Sequence, residues 1–326
     1  MTEQNQNFLT VYNPASISNN LELIEQAKGF ANAAYANNTI TAYQKDWKTF
    51  KNWCELANFS PLPCDIDTLI LYITSLASQK RRISTIQRHI CSINKFHTMA
   101  NYLLNLKSSS FILVWDGIKR TLGVAKQGKS PVLLNTLRDI VRSIKTDSNA
   151  NIRDRALLLF SWASAMRRSE IVALNWQDIN FIEEGMTVNI KQSKTDQFGE
   201  GQKIAIVYGK YKDTCPVLSL LNWKKISQGN EAVFTSVNKA NQISYIRLSD
   251  RDIARILKKF LVNIGMDSLD FAGHSFRSGF ITTAAKHSVP DRIIMKHSRH
   301  KSIQMLQVYT RDNSLLQDNA TAMVGL

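Results

Sequence analysis

Residues 117–131 read Gly-Ile-Lys-Arg-Thr-Leu-Gly-Val-Ala-Lys-Gln-Gly-Lys-Ser-Pro, and they limit what this chain can fold into more than any other stretch. Glycine loosens the backbone and proline removes an amide donor, so Gly123, Gly128 and Pro131 interrupt any helix or strand. On either side, apolar residues recur with regular spacing. A chain of 326 residues is also too long for one small core. The expected organisation is a polar, Asn-rich tail at 1–20, a helical domain at 21–116, a basic linker at 117–131 and a second domain at 132–326.

Charge narrows the choice of partner. The formal net charge is +15, and it is not confined to one tail: residues 1–128 carry 13 Lys and Arg against 8 Asp and Glu, and residues 129–326 carry 28 against 18. Two basic folded units suggest a polyanion, with nucleic acid first; a basic protein with no such role is the alternative. Hydrophobic residues make up 44% of the chain, enough for real cores. No apolar run approaches the ~20 residues of a membrane span, and the opening Met1-Thr2-Glu3-Gln4-Asn5 is not a signal peptide. A soluble protein of the cytoplasm is expected. Cys54, Cys64, Cys91 and Cys215 are scattered without a CxxC pair and receive no function.

In the first half, Tyr43, Trp47, Phe50 and Trp53 recur every three or four residues, as on one helix face. Ser84 with Gln87 three residues later reads as a capping box opening a helix whose buried stripe is Ile86, Ile90 and Ile93. Gln87, Arg88, Asn94 and Lys95 fall on its other faces, either as a solvated surface or as side chains long enough to reach phosphates and base edges. In the linker, Lys119, Arg120, Lys126 and Lys129 are candidates for the same backbone contacts.

The second half is mainly helical, with one exception. Residues 186–192 and 202–207 alternate their faces around a loop containing Gly199 and Gly201, which predicts a hairpin with Lys194 near its tip. The fold class is therefore mainly α with a small antiparallel sheet in the C-terminal domain.

Six residues carry chemistry. Arg167 follows the apolar run Leu157-Leu158-Leu159-Phe160, where a charge needs a partner or a site; Glu170 offers a structural partner. His274 and Arg277 stand three apart, on one face of a helix, after a loop whose junction with the helix N-terminus suits an anion. His300 lies between two helical stretches. Tyr309 follows Leu306 by three residues and Ile303 by six, and taken alone it reads first as a core side chain. His287 and His297 lie nearby, but no carboxylate or cysteine completes a zinc set, so no metal is expected.

The order of these residues is more specific than any one of them. Arginine box, hairpin lysine, His-x-x-Arg, histidine and then tyrosine nine residues later resembles the catalytic domain of the tyrosine recombinases, or phage-type integrases, over residues 131–326. Ser164-Ala165-Met166-Arg167-Arg168-Ser169-Glu170 is similar to the family's first arginine box, with alanine where glycine is common. His297-Ser298-Arg299-His300 is similar to its second histidine box, with Arg299 replacing the frequent glycine. Residues 84–90 and 118–124 are similar to the Cre-like branch.

The resemblance implies a two-domain DNA clamp and strand cleavage through a 3′-phosphotyrosyl intermediate, without cofactor or metal. It makes Tyr309 the nucleophile and Arg167 and Arg277 the phosphate ligands. Lys194 becomes the acid for the leaving 5′-oxygen, His274 an aid to proton transfer from Tyr309, and His300 a hydrogen-bond partner of the phosphate. It further implies a homotetramer on two duplex sites, cleavage in cis, a docking C-terminal tail and accessory DNA-bending proteins. Type IB topoisomerase action, telomere resolution and an inert DNA-binding relative are the competing readings; a helix-turn-helix regulator built on 284–310 would leave both boxes unexplained.

Overall fold

The computed structural model describes residues 21–124, 128–191 and 201–306. The chain divides into two compact units between Lys126 and Gln127. Lys126, Lys194 and Tyr309 lie outside the described residues.

The first unit is helical: α1 (Leu21–Ala33), α2 (Asn37–Leu56), α3 (Ile66–Ser78), α4 (Ile83–Met99) and α5 (Ser109–Leu122). Its core is aromatic and aliphatic, with Phe50, Leu69, Ile73, Ile86 and Ile93 fully buried. The stripe expected on α4 is therefore the one it buries. Asp65 caps α3 by accepting from the Thr68 amide at 2.6 Å, and Ser108 caps α5 through the Phe111 amide at 3.3 Å.

The predicted capping box at Ser84 does not form. The α3–α4 connection is tight: Lys80 is left-handed (φ 54°) and the Arg81 amide donates to the Leu76 carbonyl at 3.1 Å. That geometry starts α4 at Ile83, with Arg82 at the cap position and Ser84 already inside the helix. The expected linker also begins as helix, because Gly117 to Leu122 complete α5 before Gly123 (φ 72°) ends it. Beyond the break, Ser130 donates to the Asp270 carbonyl at 2.7 Å and Val132 to the Ser275 carbonyl at 2.8 Å, so these residues belong to the second unit.

A polar cluster is buried between α2 and α4. Asp46 is 2% exposed and accepts two bonds from the Arg88 guanidinium, at 2.7 and 2.9 Å. His89 reaches the same carboxylate at 3.2 Å, and its Nδ1 meets the Tyr72 hydroxyl at 2.9 Å. Burial holds the His89 pKa below its ordinary value against the pull of Asp46.

The second unit contains α6 (Leu134–Ser143), α7 (Asn149–Ser164), α8 (Arg168–Ala173), β1 (Ile179–Ile182), β2 (Gly185–Ile190), β3 (Gln202–Val207), α9 (Pro216–Ile226), β4 (Thr235–Val237), β5 (Ile243–Arg247), α10 (Asp250–Asn263), α11 (Ser275–Lys286) and α12 (Asp291–Ser298). Helix α7 is the axis of the core, with Leu157, Leu158 and Phe160 fully buried and α6, α9, α10 and α11 packed around it. The predicted hairpin is present as β2 and β3, paired from Gly185↔Val207 to Ile190↔Gln202. Two features go beyond the expected single hairpin: β1 adds a third antiparallel strand, and β4 and β5 form a separate ribbon. Among the described residues no helix is long and apolar enough to cross a membrane.

Two substitutions test this packing. A Cβ at Gly279 on α11 would lie within 1.9 Å of the Val132 carbonyl oxygen, so Gly279→Ala is expected to cost about 3 kcal/mol in denaturant unfolding. Arg88→Ala removes the paired fork from a buried carboxylate and is expected to cost about 1–2 kcal/mol, read as a lower unfolding midpoint.

Candidate active site

The site is assembled where the C-terminal end of α7 meets the start of α11. Helix α7 stops at Ala165, a left-handed residue (φ 46°) whose amide returns to the Trp162 carbonyl at 3.2 Å. The turn lets Arg167 serve as the cap residue of α8. The Arg167 amide donates to Glu170 Oε2 at 2.9 Å, and Arg167 Nη1 donates to Glu170 Oε1 at 2.8 Å. The partner expected for Arg167 is thus engaged, while its side chain remains 19% exposed.

Arg277 lies in the first turn of α11 and is only 2% exposed. Its Nη1 donates to the Ala165 carbonyl at 2.7 Å. Its Nη2 lies 3.3 Å from both ring nitrogens of His300. His274 is the cap residue of the same helix, so the His-x-x-Arg spacing presents both side chains at one helix end.

His300 follows the left-handed Arg299 that closes α12, and its amide donates to the Met295 carbonyl at 3.2 Å. Its Nδ1 lies 2.7 Å from Ser298 Oγ. The Ser298 hydroxyl has one proton and gives it to the Ile294 carbonyl at 2.6 Å.

The electrostatics are those of an anion site. Burial pushes the His300 pKa down to about 4, and the nearby cations of Arg277 and Arg167 push the same way. His274 is lowered by the protein crowded against its ring and then by Arg277, Arg167 and Arg168. Glu170 is the carboxylate inside the cluster: burial alone would raise its pKa, but Arg299 and Arg167 hold it below the usual value. Guanidiniums gathered around imidazoles can bind the non-bridging oxygens of a phosphodiester and exchange protons with groups attached to it.

The remaining predicted residues are not gathered in this way. His297 Nε2–H donates to the Ala163 carbonyl at 2.8 Å and the ring stacks on Phe280; His287 Nδ1 meets the Thr283 carbonyl at 2.8 Å. Among the described residues no group of His, Cys, Asp and Glu could hold a metal ion. Of the candidates for backbone contact, Arg88 is tied to Asp46, Lys119 pairs with Asp116 at 2.5 Å, and Lys129 donates to the Leu269 carbonyl at 2.8 Å. Lys95 sits over the Tyr35 ring at 5.1 Å. Gln87 and Arg120 are exposed. Sequence reasoning did not find Ser298 or Arg299 as site residues. The one signal was an arginine standing where a glycine is frequent.

The match to known proteins follows this geometry. Residues 133–315 match the model of the phage integrase family. A relative from Selenomonas ruminantium, described as an integrase/recombinase xerD homolog, is 33% identical over 96% of this chain and 93% of its own length. The chain belongs to the phage integrase family. It is a tyrosine recombinase, an enzyme of DNA strand cleavage and rejoining. Tyrosine recombinase XerC of Thermodesulfovibrio yellowstonii is 25% identical over 90% of each chain. The fold is shared with XerH recombinase bound to its palindromic difH substrate (TM-score 0.66, 14% identity, 92% of this chain and 84% of that one) and with a lambda integrase dimer on a core site (TM-score 0.59, 15% identity, 88% and 93%).

The depressed histidine pKa values predict acid sensitivity of the free recombinase. In the unfolded chain His300 takes a proton near its ordinary value of 6.5, whereas in the folded protein it stays neutral down to about 4. Unfolding therefore takes up a proton between those values, and stability falls as pH drops through that window. Thermal unfolding from pH 7 to 4.5 should show this decline, and His300→Gln should make it shallower.

Proposed function

We propose that the recombinase cleaves one strand of duplex DNA by attack of the Tyr309 hydroxyl on a phosphodiester. A 3′-phosphotyrosyl bond forms as the 5′-oxygen leaves, and a 5′-hydroxyl from another strand later reverses the step. The observation that carries this reading is Arg277, seated between the Ala165 carbonyl of the arginine box and His300 of the histidine box. Phosphodiesters resist attack because their oxygens repel nucleophiles and their alkoxide leaves poorly. In this reading Arg167 and Arg277 hold the non-bridging oxygens with planar forks. His274 assists removal of the tyrosine proton, and Lys194 protonates the departing 5′-oxygen.

His300 is matched to an anion that arrives during the reaction. In this reading the ring, held between Ser298 and Arg277, takes up a proton as the phosphate arrives and then donates to one of its oxygens. A phosphate beside Arg277 offsets the positive field that, together with burial, holds the ring neutral. Binding and proton uptake are then coupled.

We further infer that four protomers act on two duplex sites and exchange strands in pairs, with cleavage in cis, in the cytoplasm, with DNA-bending accessory proteins where the sites require them. Closure of the two units around the duplex as a clamp, with the basic residues of the first unit on the backbone, belongs to the same reading. The chemistry needs no cofactor, since the phosphotyrosyl bond conserves the energy of the bond it replaces.

A covalent trap tests the proposal. Wild-type protein, Tyr309→Phe and Arg277→Ala would each be incubated with nicked suicide duplexes drawn from a pool of candidate sites and run on a denaturing gel. Wild type is expected to give a DNA-linked band, Tyr309→Phe none, and Arg277→Ala a band formed about a hundredfold to a thousandfold more slowly. An adduct made by Tyr309→Phe would show that the nucleophile is another residue.

A further inference from the structure

Arg299 occupies a position that suits another residue on every count but one. It closes α12 in the left-handed conformation (φ 60°), where glycine carries no steric penalty and other residues pay about 1–2 kcal/mol. Its side chain is 4% exposed. Its Nε and Nη1 are buried and have no hydrogen-bond partner among the described residues, an arrangement that costs stability. What it gains is one contact: Nη2 donates to Glu170 Oε2 at 2.6 Å.

That contact falls on the carboxylate that also binds Arg167. Oε1 of Glu170 receives Arg167 Nη1, while Oε2 receives the Arg167 amide and Arg299 Nη2. The Glu170 side chain is 3% exposed, so its oxygens are shared out among protein donors. Arginine and carboxylate prefer the two-pronged pairing of fork on fork. With Oε2 occupied by Arg299, Arg167 is held by one prong and keeps the rest of its guanidinium for another anion. Without Arg299, Oε2 opens to a second Arg167 N–H, and the carboxylate's charge falls on Arg167 alone.

We propose that Arg299 is a positioning residue for Arg167: it shares the Glu170 carboxylate so that Arg167 is held in place but not neutralised, and remains able to take an oxygen of the scissile phosphate. This rests on the reading of Arg167 as a phosphate ligand. It assigns the costly arginine a function in place of the glycine frequent at this position in the family.

The test uses the full-length protein and the nicked duplex that wild type captures covalently, with single-turnover adduct formation and DNA binding measured separately. Arg299→Gly suits the left-handed backbone, so its thermal midpoint should equal or exceed that of wild type. Its adduct rate is expected to fall about tenfold to a hundredfold, with the Kd for DNA changed less than about threefold. Arg299→Lys, which can still place a cation on Oε2, should recover most of the rate. In a Glu170→Gln background the same Arg299→Gly change should have little further effect, because the carboxylate being shared is gone.

A wild-type rate for Arg299→Gly, or an equal loss with and without the Glu170 carboxylate, would overturn the proposal. Arg167→Ala separates the two levels of inference. If it fails to cleave while Arg299→Gly is unaffected, only the role of Arg299 falls. If Arg167→Ala cleaves normally, the phosphate assignment falls and this proposal with it.

Discussion

A guanidinium in a protein interior has to be coordinated, and the second unit is organised around one that is. Arg277 is as buried as the core phenylalanines, and its bonds to Ala165 and His300 tie three segments that are distant in sequence. The end of α7 must turn back on itself to aim the Ala165 carbonyl inward. Helix α11 must begin where it does, and α12 must end in a left-handed residue that returns His300 to the cluster. The close approach of Gly279 to Val132 seats α11 beside the segment that enters the unit, as does the Val132–Ser275 hydrogen bond. None of these features is a residue of the chemistry, but each fixes an atom on which the chemistry depends.

Holding this arrangement together costs the fold stability. Arg167 and Arg299 share one buried carboxylate, Arg277 lies against His300, and burial together with the nearby arginines keeps the two imidazoles neutral. Like charges held together in a poorly hydrated place repel one another, and the rest of the core has to oppose that repulsion. An incoming phosphodiester removes the imbalance. Its oxygens meet donors already in position, so little reorganisation is needed at the moment of reaction, which is where electrostatic catalysis gains most.

Much of this was legible in the sequence, for physical reasons that differ from element to element. The stripe of α4 and the apolar run of α7 could be read because burial leaves a direct periodic mark. The β2–β3 hairpin could be read because alternation and glycine coincide there. The short β1 strand and the β4–β5 ribbon left no such mark, since three to five residues hold too little pattern to separate from coil. Ser84 looked like a cap from its neighbours alone, but the helix start is dictated by the tight turn before it, a tertiary constraint. The same blindness applies to Arg88. Sequence shows a cation on a polar helix face, and only the fold reveals that Asp46, 42 positions earlier, is buried beneath it.

Arg88 also bears on how a basic surface should be read. A lysine or arginine already committed to a buried carboxylate brings less free charge to a phosphate than its place on a helix suggests, because breaking the internal pair offsets the new contact. Arg88 is paired in this way, Lys119 is paired with the half-exposed Asp116, and Lys129 has a backbone carbonyl as its partner. Arg167 stands between the two cases. Its pairing with Glu170 is real, yet the carboxylate is divided between two arginines, so the internal bond orients the fork without cancelling its charge. Whether a cation serves the fold or the ligand therefore depends less on its own exposure than on how many other donors its carboxylate must satisfy.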